Sequence, residues 1–258
     1  MIVFFLLFLC GLVFIPLSAF AWGPLTHMYL ANEVMAFSPL IPAGVYAVMR
    51  KFKQDFLYGN VMADIVIGKK YMAKEKNTHS WEVGLSLLEN AHYQHQKAFS
   101  YGYLSHLAAD TVAHDILTKH KRNFGHTFYE LKADSIVDKS YWFQAAQIDK
   151  SIQKRNDLFM ERSLERFLFS FKTNKRIFKG MFMLSFLHHE RLSDFIDNKL
   201  TLIPAPDRKM IEELREESID RILDVLQKGK NSLVLKEDPR CVMRPRRFLK
   251  TRRTVSAP

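Results

Sequence analysis

Apolar residues recur along this chain at the three- and four-residue spacing of helices, and no pair of alternating strands interrupts the pattern. The first 21 residues stand apart. They form an apolar run without a charged side chain that ends in Ala19-Phe20-Ala21, the small-x-small pattern of a secretory cleavage site. Beyond them the periodicity predicts a helix over 27–37, capped by Thr26 and stopped at Pro39, and a second over 42–53. The stretch 55–64 follows, with Gly59-Asn60 marking a break. Residues 81–97 form an amphipathic helix with Leu85, Leu87, Leu88 and Ala91 on its apolar side. Residues 101–120 are nearly free of polar side chains, as in a helix buried on most sides. Helical patterning continues over 124–147 and in two further helices between 152 and 199. Pro204-Ala205-Pro206 then introduces a charged helix over 207–228. The expected fold is all-α: a signal peptide over 1–21, a single multi-helix domain over 22–230, and a basic, disordered tail over 231–258.

Charge changes this picture mainly at the C-terminus. The net charge of +11 lies wholly beyond residue 21, and Arg240, Arg244, Arg246, Arg247, Lys250, Arg252 and Arg253 concentrate it. Such a segment buries too little apolar surface to fold alone. It suits peripheral contact with anionic membrane or nucleic acid, or serves as a solvated tail. Removal of the signal leaves Cys241 as the single cysteine, which excludes an intrachain disulfide and cysteine-based zinc sites. No later run approaches the roughly 18–20 apolar residues that cross a bilayer. The expected destination is the periplasm or the extracellular medium. The signal lacks a Lys or Arg near Met1, so an uncleaved anchor is the alternative. A lipid anchor on Cys10 fits poorly, because Leu7-Phe8-Leu9 precedes it without a small residue.

Cleavage after Ala21 makes Trp22 the first residue. Its free α-amine and its own carbonyl then form a five-membered chelate for a metal, with His27 close behind. Further on stand Asp64, His79, His106, Asp110, His114, His126 and Glu130, the side-chain types that zinc takes. His106, Asp110 and His114 are spaced i, i+4, i+8, so they project from one helical face. Burying them unpaired would cost roughly 1–3 kcal/mol per group. A metal cluster removes that cost, and so does a hydrogen-bonded network. His126 and Glu130 repeat the i, i+4 spacing, with Asp134 one turn on; taken alone they read as a solvated face. Asp64 alone reads as a helix cap, and His79 beside Ser80-Trp81 as a surface residue. The set, rather than any member, points to metal.

In this order the residues resemble the bacterial zinc-dependent phospholipases C, which share a superfamily with single-strand-specific zinc nucleases that also remove 3′-phosphates. The family order is an N-terminal Trp, a nearby His, an Asp, a His, a His-x-x-x-Asp with a following His, and a His-x-x-x-Glu or His-x-x-x-Asp. Trp22, His27, Asp64, His79, His106-Leu107-Ala108-Ala109-Asp110, His114 and His126-Thr127-Phe128-Tyr129-Glu130 fill it. The resemblance, carried mainly by residues 22–130, implies a secreted, all-helical protein with a trinuclear zinc cleft. One ion would be held by Asp64, His79, His106 and Asp110, and a second by His114, His126 and Glu130. A third would be held by the amine and carbonyl of Trp22, by His27, and by Asp110 as a bridge. His114 lies nearer to Asp110 than the family pattern has it, which makes His120 the alternative ligand. The implied activity is hydrolysis of the glycerol-phosphate ester of phospholipids by a zinc-activated water that Asp64 orients or deprotonates. The alternative is a single-strand nuclease or 3′-nucleotidase on the same metals; a third reading is a zinc-bound helical domain without catalysis. A phospholipid or other phosphodiester is the expected partner, and no dedicated protein partner is inferred.

Overall fold

The computed structural model describes residues 22–65, 77–117, 133–163, 173, 175, 176 and 208–239, with backbone only at 65 and 113–117. The fold is all-α, a single helical domain, and no strand occurs among the described residues. The helices are α1 (Pro24–Ala36), α2 (Ala43–Lys51), α3 (Lys53–Met62), α4 (Trp81–Glu89), α5 (Gln94–Leu117), α6 (Ser140–Ala146), α7 (Lys150–Ser163) and α8 (Arg208–Lys228). Short 3-10 turns occupy Ser38–Leu40, Ala63–Ile65, Gly229–Asn231 and Leu233–Lys236. None of the described helices is long and apolar enough to cross a membrane.

α5 is the axis of the molecule. α3, α4 and α8 pack along it, and α1 lies across α3 and α8. Its sequence explains the position: Tyr103, Leu104, Leu107, Ala108, Ala109 and Val112 are all buried, and its small residues let neighbours approach closely. The closest approach is to α3. A Cβ on Gly102 would lie 2.0 Å from the Phe56 carbonyl oxygen, and one on Gly59 would lie 2.1 Å from that of Phe99. The two glycines are therefore the crossing point of two helices, where only a missing side chain fits. This corrects the reading of Gly59-Asn60 as a break, since α3 runs unbroken through both residues. Across the far side of α3, Arg155 Nε and Asn156 Nδ2 of α7 donate to buried Asp55 at 2.9 and 2.8 Å.

Other boundaries also move. The first helix begins at Pro24, and Thr26 is buried inside it rather than capping it. The cap comes from Asp134, which accepts from Leu25 N at 3.2 Å, Thr26 N at 2.9 Å and the Thr26 hydroxyl at 2.7 Å. A carboxylate so placed answers the unpaired N–H groups and the positive end of the helix dipole. It also explains Gly23, where a Cβ would lie 2.2 Å from Asp134 Oδ2. The helix expected over 81–97 is two helices, α4 and α5, with a turn between them. Residues 231–239, expected in the disordered basic tail, pack on the body instead: Val234 is buried, and Trp81 Nε1 donates to the Glu237 carbonyl at 2.7 Å. The signal segment 1–21, most of 164–207 and the arginine-rich 240–258 lie outside the described residues.

Candidate metal centre

Four segments bring donors to one buried point. α1 supplies His27, the 3-10 turn after α3 supplies Asp64, the turn before α4 supplies His79, and α5 supplies His106 and Asp110. All five side chains are buried. That settles two alternatives left by the sequence: His79 is not a surface residue, and Asp64 faces an imidazole instead of simply capping a helix.

The turn carrying His79 is held from both sides. The side chain of Asn77 accepts from His79 N at 2.9 Å, and Ser80 caps α4 by accepting from Val83 N at 3.3 Å. From α5, the Tyr103 hydroxyl donates to the Thr78 carbonyl. Burial pushes the Tyr103 pKa well above the ordinary phenol value, so the hydroxyl remains a donor.

His106 is oriented by the helix crossing. Its Nδ1 lies 2.7 Å from the Asn60 carbonyl oxygen, in the last turn of α3, where carbonyls lack helical partners. A carbonyl only accepts, so Nδ1 carries the proton and Nε2 of the neutral ring presents its lone pair. That lone pair points into the cluster, 3.1 Å from His79 Nε2 and 3.2 Å from Asp110 Oδ2. His79 Nε2 is 3.1 Å from Asp64 Oδ1 and 3.1 Å from Asp110 Oδ2, and His106 Nε2 is 3.8 Å from Asp64 Oδ1. Donors set tetrahedrally at zinc bond lengths of about 2.0–2.1 Å would be about 3.3–3.4 Å apart. The observed separations bracket that value.

Asp110 faces two ways. Oδ2 belongs to the group just described, while Oδ1 lies 3.2 Å from His27 Nε2. The His27 ring stacks on His106 with centroids 3.7 Å apart. Burial lowers the His27 pKa below its ordinary value, helped by the neighbouring His106 imidazole and opposed by Asp110. For Asp110, burial works upward, but the surrounding imidazoles, His106 first and then His27 and His79, hold the carboxyl well below the usual range.

The donor set fits a dication. Imidazole lone pairs and carboxylates converge where mutual repulsion would otherwise act in a medium of low dielectric. Both ring nitrogens of His27 and Oδ1 of Asp110 lack a hydrogen-bond partner among the described residues. Two groupings have metal-binding spacing: His27, His106 and Asp110; and Asp64, His79 and His106. Trp22 lies beside them, its indole N–H shared between the Ala109 carbonyl and Ser218 Oγ, each at 3.1 Å. Of the other expected ligands, His114 is on the α5 backbone, but its side chain lies outside the described residues, as do His120, His126 and Glu130.

Four supporting residues are not among those the sequence singles out. The Asn60 carbonyl is backbone and leaves no trace in residue type. Asp134 shows in the sequence only as an acidic residue one turn beyond Glu130. Arg215, which donates to the Ala133 carbonyl at 2.7 Å, and Ser218 do carry a signal, because they interrupt the buried α8 stripe of Ile211, Ile222 and Val225 at its three- and four-residue spacing.

Fold and site together define an all-helical protein with a buried cluster of His and Asp side chains spaced to hold a metal ion. The family model described as zinc dependent phospholipase C matches residues 26–178, more than half of the 258, and the chain belongs to that family. Membership carries phospholipase C-type chemistry, zinc dependence and action on phosphoric esters. Comparison with curated proteins and with solved structures returned no match.

Proposed function

We propose that this chain is an exported zinc-dependent phosphodiesterase of phospholipase C type, which hydrolyses the glycerol-phosphate ester of phospholipids. The observation that carries this reading is the buried convergence of Asp64, His79, His106 and Asp110, with His27 on the opposite oxygen of Asp110. In this reading Asp64, His79, His106 and Asp110 hold one zinc ion. His27, Asp110 and the amine and carbonyl of Trp22 hold another. His114, His126 and Glu130 hold a third, with His120 as the alternative to His114.

Zinc bound there supplies Lewis acidity, which eases ionisation of water near neutral pH and offsets charge on a phosphoryl group. The remaining chemistry belongs to the chain. The Asn60 carbonyl keeps the His106 proton on Nδ1, so that Nε2 faces inward as a lone pair. Asp110 ties the two groupings through its two oxygens. Asp64 is the group that orients the attacking water and takes its proton. Water adds to phosphorus, the bond to the glycerol oxygen breaks, and that oxygen leaves with a proton as diacylglycerol alongside the phosphorylated headgroup. Export and cleavage after Ala21 create the Trp22 amine, and the burial of Trp22 against Ala109 supports its place at the centre.

Parallel assays on phosphatidylcholine micelles and single-stranded DNA test the reading. Release of diacylglycerol, abolished by a chelator and restored by zinc, is expected. Hydrolysis of DNA alone would replace the lipase by a nuclease on the same donors.

A further inference from the structure

α8 begins at Arg208, beyond the end of the family match at residue 178, yet it is built into the metal centre. Its Ser218 is fully buried, on the face it shares with Ile211, Arg215, Ile222 and Val225. The hydroxyl donates to the Leu214 carbonyl at 2.8 Å, which leaves an oriented lone pair for the Trp22 indole N–H at 3.1 Å. The same N–H reaches the carbonyl of Ala109, the residue before Asp110, also at 3.1 Å. One acceptor would satisfy a buried indole. Two acceptors on two helices fix the plane of the ring and with it the first residues of the mature chain.

One turn along, Arg221 is held by Glu217 at 2.7 Å and donates to the Thr111 hydroxyl at 2.9 Å. Thr111 in turn donates to the Ala108 carbonyl at 2.7 Å. α8 thus grips both sides of Asp110, at Ala109 through Trp22 and at Thr111 directly. A helix needed only for packing would place apolar side chains at these buried points, because polar ones cost free energy unless bonded.

We propose that Ser218 is a positioning residue for the metal centre: by holding the Trp22 indole it presets the N-terminal amine for the ion that this amine and His27 bind. The inference rests on the ligand assignment proposed above. A chain terminus is otherwise the most freely moving donor in a protein, and fixing it beforehand removes the ordering cost from metal binding.

The test uses the full mature chain and zinc alone. Ser218→Ala, Ser218→Thr, Trp22→Phe and the Trp22→Phe/Ser218→Ala double variant are equilibrated against graded chelator, and zinc retained per chain is counted. The melting temperature of each metal-stripped form is measured alongside. Ser218→Ala should weaken one ion by about tenfold, the scale found for groups that orient metal ligands, and leave the others unmoved. Ser218→Thr, which keeps the hydroxyl, should restore it. Trp22→Phe should weaken the same ion, and the double variant should be no worse than Trp22→Phe alone. Wild-type zinc retention in Ser218→Ala, with only the stripped form melting lower, would reduce Ser218 to packing and overturn this inference alone. A wild-type protein that begins upstream of Trp22 or holds no zinc would overturn the ligand assignment and this inference together.

Discussion

At the scale of residues, the account turns on a single imidazole. His106 touches every part of the centre: its Nδ1 is committed to Asn60, its Nε2 meets His79 and Asp110, and its face stacks on His27. His106→Ala should therefore remove bound zinc and lower hydrolysis by more than about a hundredfold. Elemental analysis checks the first, and full zinc content in the variant would contradict it. Asp134 offers a separate prediction. Burial raises its pKa above 3.8, against the pull of its hydrogen bonds from Thr26 and Leu25. A raised carboxyl binds its proton more tightly in the folded chain than in the unfolded one. Its contribution to stability therefore falls as pH rises from about 4 through the folded value. Asp134→Asn lacks that titration. Denaturant unfolding at a series of pH values should show the variant gaining on wild type as pH rises across this window; a constant difference would refute it.

At the scale of elements, the shared face of His106 and Asp110 on α5 was legible because helical periodicity brings residues four apart together. The helix start was less so. Gln96 sits three residues after Tyr93 and its side chain accepts from Tyr93 N at 3.0 Å and His92 N at 2.9 Å, which is half of a capping box without the usual Ser or Thr. Apolar periodicity runs across such a turn unbroken, so α4 and α5 read as one. Gly59 misled in the opposite way. Glycine signals a break by default, but here it marks a helix crossing, which depends on a partner 43 positions away at Gly102 and is invisible to local pattern. The crossing also delivers the Asn60 carbonyl to His106. Gly102→Ala should cost about 1–3 kcal/mol, since the added methyl meets backbone rather than a movable side chain. Urea unfolding measures that loss, and an unchanged midpoint would show that the helices do not cross this closely.

At the scale of the whole molecule, the proposed zinc ions would stabilise the fold that binds them. Donors from four segments meet only in the folded chain, so each ion binds that state alone. An ion present at a hundred times its dissociation constant adds about 2.7 kcal/mol. For a domain of this size that is roughly 5–10 °C of melting temperature per ion. Thermal melts with and without chelator should differ by at least that much, and superimposable melts would show that the donors hold no ion. α8 extends this unity past the matched family region, since it closes on Trp22, the first described residue. The most direct test of the central claim is N-terminal sequencing of the purified protein with a zinc count on the same sample. The account predicts Trp22 as the first residue and three zinc ions per chain. A chain that begins upstream of Trp22, or one that carries no zinc, would contradict it.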